Sequence, residues 1–205
     1  IIRGMITRDF GLWDSPISPE MLTASGTDIS FVQHEQEALY WTERRPTENG
    51  RSVVCRYQNG EIEDVTPRHT DVRSRVHEYG GIAFTVSSGR VVFVNFDDQC
   101  LYTTDGRNLR QITQPGVKLA EPVISGQDSA VVIVEEDGDP EPKNSLASVS
   151  LTDGTVTPLV EGADFYSSPT LSPDGKRLAW LSWNHPNMPW HGTELWVSDF
   201  DGDRI

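Results

Sequence analysis

The chain has 205 residues, with 17 Lys and Arg against 31 Asp and Glu, so its formal net charge is −14. A surface this acidic repels phosphate backbones and anionic lipid headgroups, which argues against nucleic acid or a membrane as a partner. No apolar run approaches the ~18 residues that a membrane span requires. The first ten residues contain no apolar signal-peptide core, and together these features predict a cytoplasmic protein.

Four Asn-Gly or Asp-Gly pairs recur along the chain, each after a short apolar stretch. Their glycines are Gly60, Gly106, Gly154 and Gly202, so the intervals are 46, 48 and 48 residues. Such pairs favour tight turns between strands, because glycine tolerates a positive φ. A repeat of this length, with strands and no helical pattern, is typical of β-propeller blades.

Each repeat also contains an uninterrupted apolar run upstream of its glycine. The four runs are A-L-Y-W at 38–41, V-V-F-V at 91–94, V-V-I-V at 131–134 and L-A-W-L at 178–181. Strands without polar alternation are buried on both faces, as the inner strands of stacked blades are. Each blade is therefore predicted to have four antiparallel strands, A to D, with the apolar run as strand B and the glycine turn between strands C and D.

We predict an all-β fold, a partial β-propeller of about four blades in which the fourth lacks strand D. The predicted units are an N-terminal segment 1–26 and an incomplete propeller 27–205, with blades at approximately 27–67, 75–114, 118–162 and 165–205. Units one, three and four carry about eight more residues between strands B and C than unit two. These B–C loops share one face of the disc with the D–A connections, and loops on one rim of a rigid scaffold commonly carry function.

Several loop sequences on this face resemble a known family. They are G-L-W-D-S-P-I-S at 11–18, H-E-Y-G-G at 77–81, D-F-Y-S-S-P at 164–169 and N-H-P-N-M-P-W-H-G-T-E-L-W at 184–196. Together they resemble the N-terminal propeller of the prolyl oligopeptidase family, in its dipeptidyl aminopeptidase and acylaminoacyl-peptidase-like branch. The resemblance covers essentially the whole chain. One departure is His191, where many relatives carry Asp.

The resemblance implies a seven-bladed propeller that caps a C-terminal α/β-hydrolase domain, which these 205 residues do not include. It implies a non-catalytic, substrate-gating portion of a serine exopeptidase or oligopeptidase that acts on short peptides. The family's catalytic serine lies in a G-x-S-x-G elbow of the hydrolase domain. That pattern is absent from this sequence, so no catalytic residue is assigned. The expected partners are the chain's own hydrolase domain and short peptides, and no cofactor is expected.

The first segment that supplies candidate substrate-binding residues is His77, Glu78 and Tyr79, which is predicted to lead strand A of blade two. Glu78 is hypothesised to meet the free α-amine of a substrate, because a buried ammonium group needs an anionic partner. The alternative is structural, with Glu78 paired to Arg73 or Arg75 and Tyr79 packed between blades.

The second segment supplies Asn184, His185 and Trp190 from a proline-stiffened loop. The hypothesis is a wall of the substrate cavity that suits apolar peptide side chains. The alternative is that Trp190 plugs a junction between blades. A metal site from His185 and His191 is not expected, because neither Cys nor a third His stands nearby.

Other interpretations stay open. The acidic run at 135–141 is predicted to be a solvated loop, and the alternative is rim charge that attracts cationic peptides. A stand-alone protein- or ligand-binding propeller, like the periplasmic translocation-associated ones that share the S-P-D-G-K-R turn, would require an export signal. A lactonase-like enzyme with an axial metal would require inward ligands from several blades, for which the predicted strand A starts offer Glu78, Glu121 and Ser168. The sequence leaves the peptide specificity, the total blade number and the oligomeric state open.

Overall fold

The structure is a computed structural model that describes residues 7–13, 15–23, 26–202 and 204–205. Residues 1–6, 14, 24 and 25 of the predicted N-terminal segment lie outside this description, as does residue 203 of the fourth glycine turn. The helical elements of the described part are one α-helix, α1 (Pro19–Thr23), and a single 3-10 turn at Pro46–Glu48.

The remaining elements of the described residues are strands, which form four antiparallel sheets. The first sheet contains β1 (Asp28–Glu35), β2 (Ala38–Arg45), β3 (Arg51–Gln58) and β4 (Glu61–Asp64). The second contains β5 (Phe84–Ser87), β6 (Arg90–Val94), β7 (Leu101–Thr104) and β8 (Leu109–Gln111). The third contains β9 (Lys118–Ile124), β10 (Ser129–Glu136), β11 (Lys143–Ser150) and β12 (Val156–Val160). The fourth contains β13 (Phe165–Leu171), β14 (Arg177–Trp183) and β15 (Glu194–Asp199).

The repeat glycines occupy the turns that the sequence predicts. Within each sheet the strands pair with their neighbours in chain order. Gly60, Gly106 and Gly154 follow the third strand of their sheets and have φ of +88°, +89° and +78°. L-residues with a side chain rarely adopt this left-handed region, whereas glycine enters it without a steric penalty. The 46 to 48-residue periodicity therefore arises from one backbone requirement that recurs in every blade.

Apolar clusters lie between successive sheets and join them face to face. Neighbouring residues of β10 point to opposite sides, with Val132 in the cluster shared with the second sheet and Ile133 in the cluster shared with the fourth. The cluster between the first two sheets contains Tyr40, Val54, Phe84 and Phe93. Two-sided burial of an inner strand is the arrangement that stacked blades require. The predicted all-β partial propeller, with four blades and a three-stranded fourth, is confirmed.

The extra residues between strands B and C are distributed differently from the prediction. In the first and third blades they mostly lengthen the strands, since β2, β3, β10 and β11 each have eight residues, against five in β6 and four in β7. Pairing continues to Glu136 opposite Lys143, so the polar residues extend a regular hairpin. Only in the fourth blade, at 184–193, do the additional residues form a longer loop.

The two outer sheets expose apolar side chains, and this predicts self-association of the 205-residue chain. Ile29 and Val32 of β1 are exposed, and Leu195 and Val197 of the edge strand β15 are 71% and 59% exposed. An exposed apolar edge strand is a template for pairing with another chain. We expect light scattering to show oligomers, and we expect Leu195→Lys combined with Val197→Lys to shift the chain towards monomer. A monodisperse wild-type monomer, or the same shift with Asn108→Lys at an exposed turn, would contradict this expectation.

Candidate functional site

The segment with His77 and Glu78 is a strained turn that precedes the second blade. Strand β5 begins only at Phe84, so these residues do not lie at the start of strand A, as predicted, but in the turn before it. His77 and Glu78 have φ of 56° and 66°, and such left-handed conformations store of the order of 1–3 kcal/mol each. Gly80 follows with φ of +74°, and a Cβ there would lie 2.6 Å from the Ser74 carbonyl oxygen. The surroundings must therefore hold this turn in place.

A buried carboxylate of the third blade anchors the turn. Glu135 is 2% exposed, and its Oε2 accepts a hydrogen bond from the His77 backbone N–H at 2.7 Å. Its Oε1 accepts one from Lys118 Nζ at 2.7 Å, so the charge is balanced. The Ser74 hydroxyl donates to the Leu119 carbonyl at 2.6 Å and ties the segment to the same blade. The acidic run at 135–141 is thus wrongly predicted as a solvated loop throughout, because Glu135 is a buried residue of β10.

Aromatic rings bring the two predicted segments together. The His77 ring lies edge-on to Phe165, with centroids 5.2 Å apart, and Phe165 stacks on Trp183 at 5.3 Å. Phe165 also lies against His185, with ring centroids 4.9 Å apart, so Phe165 contacts both segments. Burial lowers the pKa of His77, although the nearby Glu135 charge and the Asn144 side chain act in the opposite direction. The His77 ring is therefore neutral at pH 7.

The second segment is fixed by one aspartate. Asp164 Oδ2 accepts hydrogen bonds from the His185 backbone N–H at 2.9 Å and pairs with His185 Nδ1 at 3.0 Å. The Asp164 backbone N–H donates to Asn184 Oδ1 at 2.8 Å. The two hydrogen bonds from His185, of which the one from its backbone N–H has the larger effect, lower the pKa of Asp164. Asn184 and His185 therefore lie beside the fourth blade's first strand and are held there.

Neither Trp190 nor Tyr79 occupies the position between blades that the structural alternatives predict. Trp190 is 72% exposed and stands against His191, with ring centroids 5.8 Å apart, so it does not plug a junction between blades. Tyr79 is also exposed, although its ring lies 5.7 Å from that of His77. The structure brings Tyr79 to the His77 cluster and leaves Trp190 outside it.

A cavity of about 250 Å³, which we call the acidic pocket, lies where these segments meet. It is lined by four carboxylates and by polar and aromatic groups: Glu78, Glu135, Glu141, Asp164, His77, Asn144, His185, Phe165 and Pro142. Two buried atoms on its wall, His77 Nε2 and Asn144 Oδ1, make no well-aligned hydrogen bond in the described part of the chain, although the two side chains lie close enough for Asn144 to act on the pKa of His77. Buried polar atoms are usually hydrogen-bonded, so two poorly satisfied atoms on a cavity wall are available to a polar group of a ligand.

The pocket suits a small cation. An ammonium group donates hydrogen bonds and needs acceptors and negative charge, which the carboxylates and the Asn144 amide oxygen provide. Glu78 is exposed at the margin and makes no ion pair with Arg73 or Arg75 among the described residues; its backbone N–H instead donates to the Arg75 carbonyl at 3.1 Å. The structural alternative for the Glu78 side chain is therefore not observed.

Glu121 and Ser168, which the axial-metal alternative would use as ligands, instead connect blades through hydrogen bonds. The Glu121 backbone N–H donates to the Ile82 carbonyl at 2.7 Å, and Glu121 Oε2 accepts from the Ser168 backbone N–H at 2.6 Å. Glu121 thus bridges three blades, and burial raises its pKa. Nowhere in the described ranges do three His, Cys, Asp or Glu side chains converge as metal ligands would.

Six lining residues were not among the predicted site residues, namely Glu135, Glu141, Pro142, Asn144, Asp164 and Phe165. Phe165 belongs to the D-F-Y-S-S-P motif, so a signal for it was present. Glu135 and Asn144 lie opposite each other on β10 and β11, and the strand extension beyond the apolar run is what buries them. No local pattern marks that extension.

Comparison with known proteins gives likeness to solved structures alone. No family model matches the chain, and no curated protein matches it. A peptidase of Mycobacterium tuberculosis described as puromycin-hydrolysing is 33% identical with a TM-score of 0.84, over 98% of this chain and 34% of that one. A puromycin hydrolase is 30% identical with a TM-score of 0.83, over 98% and 35%. TolB from Acinetobacter baumannii, at 14% identity and a TM-score of 0.53, shares the fold alone.

The matches also show what fraction of each neighbour's length this chain covers. It spans about a third of the length of the puromycin-hydrolysing neighbours, and it aligns with them over nearly all of its own length. Within the described residues no helix is long and apolar enough to cross a membrane. The resemblance found in the loop motifs is confirmed, and the chain is the β-propeller part of a protein of the prolyl oligopeptidase family.

Proposed function

We propose that this chain is the non-catalytic, substrate-gating part of a cytoplasmic serine peptidase that acts on short peptides with a free amino terminus. The observation that carries the proposal is the acidic pocket, with its carboxylates and with Asn144 Oδ1 and His77 Nε2, which make no well-aligned hydrogen bond among the described residues. The likeness to puromycin-hydrolysing peptidases agrees with it. Puromycin carries a free α-amine next to an amide bond, so it shares an ammonium group beside an amide with short peptides that have a free amino terminus.

In this proposal the propeller binds and orients, and a separate α/β-hydrolase domain performs the chemistry. Glu135 is paired with Lys118 and holds the turn, and Asp164 is hydrogen-bonded to His185. Of the two remaining carboxylates of the pocket, Glu78 and Glu141, we assign Glu78 to the incoming ammonium because it lies in the turn beside His77. The neutral His77 and the Asn144 amide oxygen complete the polar wall. Acyl transfer would proceed through serine, histidine and aspartate of the hydrolase domain.

Gating requires only that the propeller be rigid and its opening narrow. The blades pack through continuous apolar clusters, and such interiors deform little. A rigid ring over the catalytic site would admit short peptides and exclude folded proteins by size. The alternative of a stand-alone binding propeller has only the fold-level likeness to TolB in its favour.

The proposal predicts that Glu78→Gln in the full-length protein weakens the binding of substrates with a free amine and spares that of N-acylated ones. Loss of a charge-assisted hydrogen bond is worth about 1.5–3 kcal/mol, so KM for a free dipeptide reporter should rise about tenfold to a hundredfold. KM for the N-acylated form of the same reporter should not change, because it brings no ammonium group. Steady-state kinetics on both reporters measures this difference.

The matched control is Glu136→Gln, which makes the same chemical change at an exposed residue that does not line the acidic pocket. It should leave both KM values unaltered. A Glu78→Gln effect of equal size on the free and the acylated reporter would remove Glu78 from amine recognition.

A further inference from the structure

A second, larger cavity lies on the other side of Glu78. This basic cavity has a volume of about 890 Å³ and is bounded by the first blade and the segment 72–81. Its charged lining consists of four cationic and two anionic side chains: Arg44, Arg73, Arg75, Lys118, Asp28 and Glu78. In a chain with 17 basic and 31 acidic residues, this concentration of positive charge stands out against the overall balance.

Two of these guanidinium groups are held on one aromatic ring. Arg73 Cζ lies 3.9 Å and Arg75 Cζ 4.2 Å from the centroid of Phe96. Stacking fixes the plane of each guanidinium, so less side-chain freedom is lost when an anion binds. The Phe96 backbone N–H donates to the Asp71 carbonyl at 2.8 Å, which fixes the ring to the same segment.

The cationic groups of the basic cavity differ in how well they are neutralised. Lys118 is paired with Glu135 and Asp137, and Arg73 lies 3.5 Å from Asp71. Arg75 has no carboxylate within ion-pair distance in the part of the chain that the structure describes, and its side chain is exposed. A guanidinium with free donors matches a carboxylate in a two-point hydrogen-bonded pair. Arg75 is therefore placed to take an anion from a ligand.

We infer that the basic cavity binds the α-carboxylate of the short peptide, with Arg75 as the principal partner and Arg73 beside it on Phe96. This inference rests on the proposed function, because it gives the second charged end of the same substrate a site. Glu78 lines both cavities, and its backbone N–H bonds to the Arg75 carbonyl, so the amine and carboxylate sites flank one turn. An extended peptide gains only about 3.3–3.6 Å per residue, so two sites that flank one turn suit peptides of a few residues with both ends free.

The test uses the full-length protein and one tripeptide in two forms, the free acid and the C-terminal amide. We expect KM for the amide to exceed that of the free acid about tenfold to a hundredfold. Arg75→Gln should raise KM for the free acid to the value of the amide and leave hydrolysis of the amide unchanged, which also reports that the variant is folded. Arg107→Gln, at an exposed turn of the second blade, should preserve the difference.

The outcomes separate this inference from the proposed function. Hydrolysis of both forms with equal KM would overturn the carboxylate site and leave the peptidase proposal standing. Absence of hydrolysis of either form would overturn the proposed function and this inference with it. Inhibition by inorganic phosphate that is equally strong for both forms, and that Arg75→Gln removes, would make the cavity a phosphate site and overturn the peptide assignment.

Discussion

Replacing Gly154 by alanine should destabilise the propeller by about 3–5 kcal/mol, which is exceptional for a single added methyl group. The glycine has φ of +78°, and a Cβ there would lie 2.1 Å from the Ile112 carbonyl oxygen and 2.9 Å from its carbonyl carbon. Both neighbours are backbone atoms of the second blade, so a side-chain rotation cannot relieve the clash. The third blade's turn would have to move away from the second blade.

Such a movement would also break a contact at the same junction. Arg110 Nη2 donates to the Leu151 carbonyl at 2.6 Å, three residues before the glycine. The expected loss of stability is measured as a decrease in the urea concentration at the unfolding midpoint. Tryptophan fluorescence monitors the unfolding, at a protein concentration where the chain is monomeric.

The repeat supplies a matched control for this prediction. Gly106 occupies the equivalent turn of the second blade with φ of +89°, but nothing lies within 4 Å of a Cβ built on it. Gly106→Ala therefore isolates the backbone strain, which is worth about 1–2 kcal/mol. If the two variants unfold at the same urea concentration, the close packing of the Gly154 turn against Ile112 is refuted.

Phe93→Ala should lower the free energy of unfolding by a similar amount, because Phe93 packs at the junction of the first two blades. Phe93 is fully buried in the cluster with Tyr40 and Phe84, and its ring stacks on Tyr102 with centroids 5.7 Å apart. Truncation of a buried phenylalanine removes apolar burial and leaves a cavity, which together cost about 3–5 kcal/mol. Urea unfolding of the purified variant gives this value directly.

Phe10→Ala makes the same chemical change at a fully exposed position and serves as the control. Its effect should stay within about 0.5 kcal/mol, as for surface substitutions in general. A Phe93 variant as stable as the Phe10 variant would mean that the cluster does not join the two sheets in solution.

The fold was predictable because its determinants are local and repeat. A glycine with positive φ at Gly60, Gly106 and Gly154, and an apolar run upstream of each, are properties of short segments. Four copies at similar spacing then indicate one unit that stacks. The length of the strands was harder to predict, because β10 continues to Glu136 through cross-strand pairing that the polar residues there do not indicate.

The site was predictable only in its outline. The motifs supplied His77, Glu78 and His185, and the structure places all three around one pocket. The burial of Glu135 could not be foreseen, since it depends on a turn 58 residues away in the chain. Trp190 was predicted to form a wall of the substrate cavity because it is a large aromatic residue. It is exposed and lies outside the acidic pocket, because the composition of a loop does not determine its path.

The acidic pocket is a composite of three parts of the chain. The turn before the second blade gives His77, the third blade gives Glu135 and Asn144, and the fourth gives Phe165. The recess consequently exists only while these blades remain docked. A molecule that bound there would contact all three parts at once, so by thermodynamic linkage its binding would stabilise the packing of the three blades against one another.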